Sequence, residues 1–236
     1  MWTLFLQRRY FRSSSSLMKT LKKKTPTEQR WLLRQLKDPY VKASRNQNFR
    51  CRSAFKLLEI DDKFGLLQAG YSVVDCGAAP GAWSQVVVQR VNSTGTDQDS
   101  PRGTVIGIDL LNIPPLDGAH FLSNHDVTYP ATHAKLQELL PGGQAHVILS
   151  DMAPNASGFR DMDHERLITM CFSLIDLAEK ILQPQGSLLC KYWDGILTHQ
   201  LQEKLSSVFG SVRTVKPNAS RKDSAERFFL ARMYRK

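Results

Sequence analysis

The chain has 236 residues, a length that suits one α/β domain with an extension, and its 32 basic and 22 acidic side chains leave a formal net charge of +10. The excess sits at one end: residues 1–50 hold thirteen Lys and Arg against only Glu28 and Asp38, so a basic arm precedes a near-neutral remainder and points to a polyanionic partner, an organelle address, or both. Cys51, Cys76, Cys171 and Cys190 form no C-x-x-C pair and no Cys/His ligand spacing, which argues against a metal centre, and no apolar run reaches the length of a membrane span.

Residues 1–18, MWTLFLQRRYFRSSSSLM, combine arginines, serines and aromatics with no acid. That is the composition of a mitochondrial transit peptide, to be set aside from the fold; the plain alternative is a basic tail without an address. Residues 19–50 form a second basic piece. Within it Thr25 to Leu36 reads as a short amphipathic helix with Trp31, Leu32 and Leu36 on its apolar side, broken by Asp38-Pro39. Tyr40 to Arg52 then interleaves Lys42, Arg45, Arg50 and Arg52 with Tyr40 and Phe49. Cations among flat rings suit RNA, with its phosphates and splayed bases; a solvated helix face is the bland reading. Residues 51–236 carry the globular domain. Its first element is a helix over Ser53 to Phe64, stopped by Gly65. Lys56 lies within this apolar helix and, taken alone, reads as a snorkelling surface lysine.

Tyr71 to Trp83, YSVVDCGAAPGAW, is the centre of the domain. Val73 and Val74 suit a buried strand, Asp75 ends it, and Gly77 to Gly81 make a turn of tiny side chains before a helix over Ala82 to Val91. A strand, a small-residue turn and a helix start form a ligand cradle with free N–H groups. Neither G-x-G-x-x-G nor the phosphate-cradling G-x-x-x-x-G-K-[ST] is present, and an acid just before the turn suits a ligand carrying positive charge. Asn92 to Arg102 is a polar loop. Thr104 to Ile108 is the second strand, with Asp109 placed behind it where ribose hydroxyls bind in nucleotide-type folds.

Phe121 and Leu122 make a short third strand, followed by Asn124, His125 and Asp126. A helix over Thr132 to Leu140 turns at Pro141-Gly142-Gly143. Ala145 to Leu149 is a fourth strand ending at Ser150 and Asp151. A long helix over His164 to Leu182 turns at Pro184 and Gly186, and Ser187 to Cys190 is a fifth strand with Lys191 behind it. Tyr192 and Trp193 suit either a target base or the core. Leu197 to Phe209 is a further helix, and Val212 to Val215 and Arg227 to Tyr234 are the last strands. Alternating strands and helices with polar residues at strand ends predict a doubly wound, mostly parallel sheet with helices on both faces. Ligands sit outside the carboxyl ends of such strands, where Asp75, Asp109, Asp151 and Lys191 all fall.

The runs DCGAAPGAWSQ (75–85), SDMAPNASG (150–158), LLCKYWDG (188–195) and SRKDSAERFFLA (220–231), in this order, resemble the RrmJ/FtsJ family of S-adenosylmethionine-dependent RNA ribose 2′-O-methyltransferases. The resemblance spans roughly residues 38–235, and RCRSAFKLLEI (50–60) with the transit-like start resembles the family's mitochondrial large-subunit branch. It implies a Rossmann-like fold with a seven-stranded sheet whose last strand is antiparallel. It also implies a catalytic tetrad at Lys56, Asp151, Lys191 and Glu226. Cofactor contacts would lie at Asp75, Gly77, Pro80, Gly81, Ala82, Trp83, Asp109, Asp126 and Asp151. Ala82 stands where many relatives have glycine, and the Asn92–Arg102 loop is longer than in bacterial members.

The implied reaction is methylation of a uridine ribose in the peptidyl-transferase region of mitochondrial large-subunit (16S) rRNA. The setting would be the matrix, within an assembling ribosomal particle, with the enzyme a monomer. A sulfonium donor is already activated and needs no metal; the difficulty is the weakly acidic 2′-OH. A lysine can take its proton only when neutral, against an ordinary pKa of about 10.4, and burial, a second lysine and the sulfonium all favour that form. Lys191 is the expected base, Lys56 its electrostatic partner, and Asp151 and Glu226 the orienting acids. The alternatives are an assembly factor acting mainly by RNA binding, the same chemistry on tRNA or a cap, and a small-molecule methyltransferase.

Overall fold

The computed structural model describes residues 25–235; the transit segment read at residues 1–18 lies outside the described residues. The chain divides into two compact units, one ending at Ala43 and one running from Ser44. In the first, helix α1 (Pro26–Lys37) starts with a capping box. The Thr25 hydroxyl accepts from the Glu28 N–H at 3.3 Å and the Glu28 carboxylate accepts from the Thr25 N–H at 2.9 Å, satisfying two donors that the first turn leaves orphaned. Asp38-Pro39 ends α1 as expected, but it also starts a helix that the sequence pattern does not announce, α2 (Pro39–Asn46). Asp38 accepts from the Tyr40 N–H at 3.0 Å and proline fits a first helical position, so one dipeptide stops one helix and caps the next. Residues 44–50, grouped with the arm by composition, belong to the second unit.

The second unit is built on a seven-stranded sheet in the order β3-β2-β1-β4-β5-β7-β6. The strands are β1 (Ser72–Cys76), β2 (Thr104–Asp109), β3 (His120–Ser123), β4 (Ala145–Ser150), β5 (Leu182–Trp193), β6 (Phe209–Val215) and β7 (Glu226–Tyr234). β1 to β5 pair in parallel, and β7 runs antiparallel to both β5 and β6. Helices α3 (Ala54–Phe64) and α4 (Ala82–Arg90) cover one face; α5 (Pro130–Leu139), α6 (Arg160–Ile181) and α7 (Thr198–Val208) cover the other. Alternation sorts the strand residues accordingly. Val73, Val147 and Leu149 pack with Leu57, Ile60 and Val86, whereas Val74, Cys76 and Ile148 pack with Leu136, Ile168 and Leu174. Both faces being buried explains the continuous apolar runs of the inner strands.

Several boundaries differ from expectation, and β6 starts at Phe209 rather than Val212 because it pairs with β7 as far as Tyr234. α6 begins at Arg160, four residues before His164, because Asp161 and Asp163 suit the positive end of a helix. The turn expected at Pro184 and Gly186 is absorbed into β5. Register slips between the pairs Ala145–Leu182 and Val147–Ser187, so the extra residues bulge, with Gln185 at φ +67°. Lys191 therefore lies inside β5, paired opposite Phe228, rather than behind it.

Candidate active site

The sheet order arranges the polar residues in a row. Across neighbouring strands at one edge lie Asp126 just beyond β3, Asp109 at the end of β2, Asp75 in β1, Asp151 just beyond β4, Lys191 in β5 and Glu226 at the start of β7. Glu226 joins the row only because β7 is antiparallel, which brings its first residue opposite Trp193 near the end of β5. Lys56 reaches the same edge from the first turn of α3.

The cradle is held from within. Gly77 (φ +76°) and Gly81 (φ +103°) take backbone conformations that a side chain disfavours, and a Cβ on Gly77 would lie 2.2 Å from Met152 Cγ. The Gly77 and Ala78 N–H groups donate to Ile108 O at 2.8 and 3.1 Å, and the Ala79 N–H donates to Asp109 Oδ2 at 2.9 Å. Asp109 Oδ1 accepts from the Leu111 N–H at 2.8 Å, so each carboxylate oxygen keeps a further acceptor position, as a ribose diol requires. Asp75 is 1% exposed and accepts from the Ser84 hydroxyl at 2.7 Å. Burial, opposed by Ser84 and reinforced by Asp151 and Asp109, pushes its carboxyl up to about 7. The first turn of α4 has no side-chain cap from Gly81; its Ser84 N–H turns back to the Asp75 carboxylate, which leaves the Ala82 and Trp83 N–H groups nearest the cradle. Carboxylates, a helix N-terminus and a glycine turn together fit the S-adenosylmethionine implied by the resemblance. Trp83 is buried, donates from its indole to Ser53 O at 2.9 Å and packs on Phe228. Asp126 accepts from the Thr128 N–H and hydroxyl at 2.9 and 2.8 Å, next to His125, whose N–H donates to Asp109 O.

Lys56, Asp151, Lys191 and Glu226 form one cluster. Lys56 Nζ lies 2.8 Å from Glu226 Oε2 and 3.4 Å from Asp151 Oδ1, and Lys191 Nζ lies 3.1 Å from Asp151 Oδ1 and donates to Asp151 O at 2.5 Å. Both lysine side chains are about nine-tenths buried, at 11% and 8% exposed, so Lys56 is not the surface group that its helix alone suggests. Burial pushes the Glu226 carboxyl up, but the charge and hydrogen bond of Lys56, with help from Ser220 and Lys191, outweigh it and leave Glu226 below the ordinary glutamate range. The cluster adjoins the cradle through Met152, which follows Asp151 and touches Gly77.

Several supporting residues lie in the matching runs without a role that the sequence announces. Ser220 donates to Glu226 Oε1 at 2.7 Å. Glu59 accepts from the Asn218 and Ala219 N–H groups at 2.5 and 3.3 Å, and Arg52 donates to Ala219 O, so α3 and the segment before it fix the loop that leads to Glu226. Tyr192 belongs to the core: it is 2% exposed and stacks on Phe229 at 4.1 Å between ring centroids. Among the described residues no cluster of three or more His, Cys, Asp or Glu could hold a metal ion, and no helix is long and apolar enough to cross a membrane.

Known proteins of similar sequence and structure are methyltransferases by name. The chain is 43% identical over 217 residues to the mitochondrial rRNA methyltransferase 2 of Drosophila melanogaster, covering 92% of this chain and 87% of the relative. It is 42% identical over 224 residues to the ribosomal RNA large subunit methyltransferase E of Acidiphilium cryptum, covering 95% and 94%. Among solved structures, a ribosomal RNA methyltransferase from Plasmodium falciparum superposes with a TM-score of 0.69 at 26% identity, over 79% of this chain and 98% of that one. Residues 49–234 match the FtsJ-like methyltransferase family; the chain belongs to that family.

Proposed function

We propose that this enzyme transfers the methyl group of S-adenosylmethionine to the 2′-oxygen of a uridine ribose in the peptidyl-transferase region of mitochondrial large-subunit (16S) rRNA. In this reading it works in the matrix, as a monomer, on an assembling ribosomal particle. The observation that carries the chemistry is the single cluster of Lys56, Asp151, Lys191 and Glu226 against the small-residue cradle. The rRNA and its compartment are carried by what the relatives are named for.

In this reading the cradle at Gly77, Pro80, Gly81, Ala82 and Trp83, with Asp75, Asp109 and Asp126, holds the donor, which supplies a sulfonium-activated methyl group. Asp109 accepts from its ribose hydroxyls. Lys56, gripped by two carboxylates, serves as a fixed cation toward the RNA ribose-phosphate. Lys191, with one carboxylate partner and a carbonyl, accepts the 2′-OH proton, so that the oxygen would bond to the donor's methyl carbon while the carbon–sulfur bond breaks and its electron pair stays on sulfur, leaving a neutral thioether. Asp151 touches both amines and keeps the base and the fixed cation in one geometry; Glu226 holds Lys56. Residues 1–18 act as the transit peptide, 19–50 as an RNA-contacting arm and 51–236 as the catalytic domain. The test is Lys191→Ala with labelled S-adenosylmethionine and large-subunit rRNA. Methyl transfer is expected to fall at least about 10²-fold while cofactor binding persists; near-normal turnover would reject Lys191 as the base.

A further inference from the structure

By composition Arg50 belongs with the basic residues that face RNA, but its guanidinium is spent elsewhere. Nη1 donates to Pro80 O and to Pro114 O, both at 2.8 Å, and Nη2 donates to Pro115 O at 2.6 Å. Pro80 is in the cradle turn; Pro114 and Pro115 are in the loop that follows Asp109 at the end of β2. One planar fork therefore spans the two loops between which the donor would lie, a geometry that a lysine cannot reproduce. The fit is close: a Cβ on Gly81 would lie 2.3 Å from Arg50 Nη1. The Arg50 backbone is fixed in turn by Gln85 of α4, whose Oε1 accepts from the Arg50 N–H at 2.7 Å and whose Nε2 donates to Asn48 O at 2.9 Å.

We propose that Arg50 is a positioning residue for the methyl donor, setting the separation of the two cofactor loops, and not an RNA contact. This rests on the methyl-donor reading of the cradle. Three carbonyls converging on one partly buried cation also explain the glycine at 81, since any side chain there would push the fork off Pro80.

The proposal separates from an RNA role by binding measured without turnover. S-adenosylmethionine alone is titrated calorimetrically into the full chain and into Arg50→Lys, and a large-subunit rRNA transcript is titrated by fluorescence anisotropy. Arg50→Lys is expected to weaken cofactor binding about tenfold, for the loss of one or two charge-assisted bonds. KM for the cofactor should rise in step, and RNA affinity and thermal midpoint should stay near wild type. Arg34→Ala, in the arm, is expected to do the reverse. Arg50→Lys binding cofactor as wild type does, or losing RNA affinity alone, overturns the proposal and leaves the proposed function standing; wild-type chain that binds no cofactor overturns both. If Arg50→Lys does not fold, Gln85→Met serves. It frees the Arg50 backbone and is expected to weaken cofactor binding about threefold; unchanged cofactor binding in that variant overturns the proposal equally.

Discussion

Two amines within reach of one carboxylate have different surroundings, and the proposed function rests different work on them. Lys56 has Glu226 at 2.8 Å and Asp151 beyond it, while Lys191 has Asp151 and a backbone carbonyl. Lys191→Arg keeps the charge but removes any base, because a guanidinium does not give up its proton at working pH. It is expected to be as inactive as Lys191→Ala in a single-turnover methylation assay. Glu226→Gln leaves Lys56 in place but loosens it, and is expected to cost about 10-fold in kcat with little change in cofactor Kd. Asp75 gives a prediction about stability. Its folded pKa of about 7 lies above the unfolded value of about 3.9, so the native state binds the extra proton in between, and this group's contribution falls as pH rises from about 4 to about 7. Cofactor-free thermal midpoints should show that fall in wild type, and Asp75→Asn should flatten it.

The turn between β1 and α4 works through backbone, so its weak points are its glycines. Gly77→Ala must place a Cβ where Met152 already packs, at φ +76°. A loss of about 1–2 kcal/mol is expected in urea unfolding, with weaker cofactor binding, since Met152 adjoins Asp151. The strands of this region were legible because β-branched and apolar residues fill both faces of a parallel sheet, and their parallel direction followed from the alternation with helices; their order in the sheet did not. α2 was not legible: Asp38-Pro39 reads as a stop, and only the bond from Asp38 to the Tyr40 N–H shows it to be a start as well. The bulge in β5 was hidden for a similar reason, since Pro184 and Gly186 signal a turn and the backbone meets that signal without leaving the sheet. Glu226 was placed by its motif and not by strand spacing. Its membership depends on β7 running antiparallel, which no local spacing encodes.

At the scale of the molecule, charge and the polar row are kept in separate segments: the basic excess lies within residues 1–50, and the row of Asp, Lys and Glu lies on a near-neutral sheet. Cations of the arm that neutralise phosphates would release counterions, so RNA affinity is expected to fall steeply with salt. Replacing Arg30, Arg34 and Lys37 together by alanine should reduce the log–log slope by about one for each phosphate no longer neutralised, without changing cofactor binding. The four clustered residues were legible through ordered motifs; Ser84, Ser220, Glu59 and Arg50 lie in the same runs, but their roles were not legible, because each acts by holding a neighbour that only the fold identifies. The central claim is that these neighbours serve methyl transfer to a sugar hydroxyl through Lys191. Its most direct measurement follows labelled methyl from S-adenosylmethionine into large-subunit rRNA, digests the product with alkali and compares wild type with Lys191→Ala. The account predicts label in alkali-resistant dinucleotides, which a 2′-O-methyl group protects, and none from the variant at equal cofactor occupancy. Label confined to alkali-released mononucleotides, or undiminished in the variant, would contradict it.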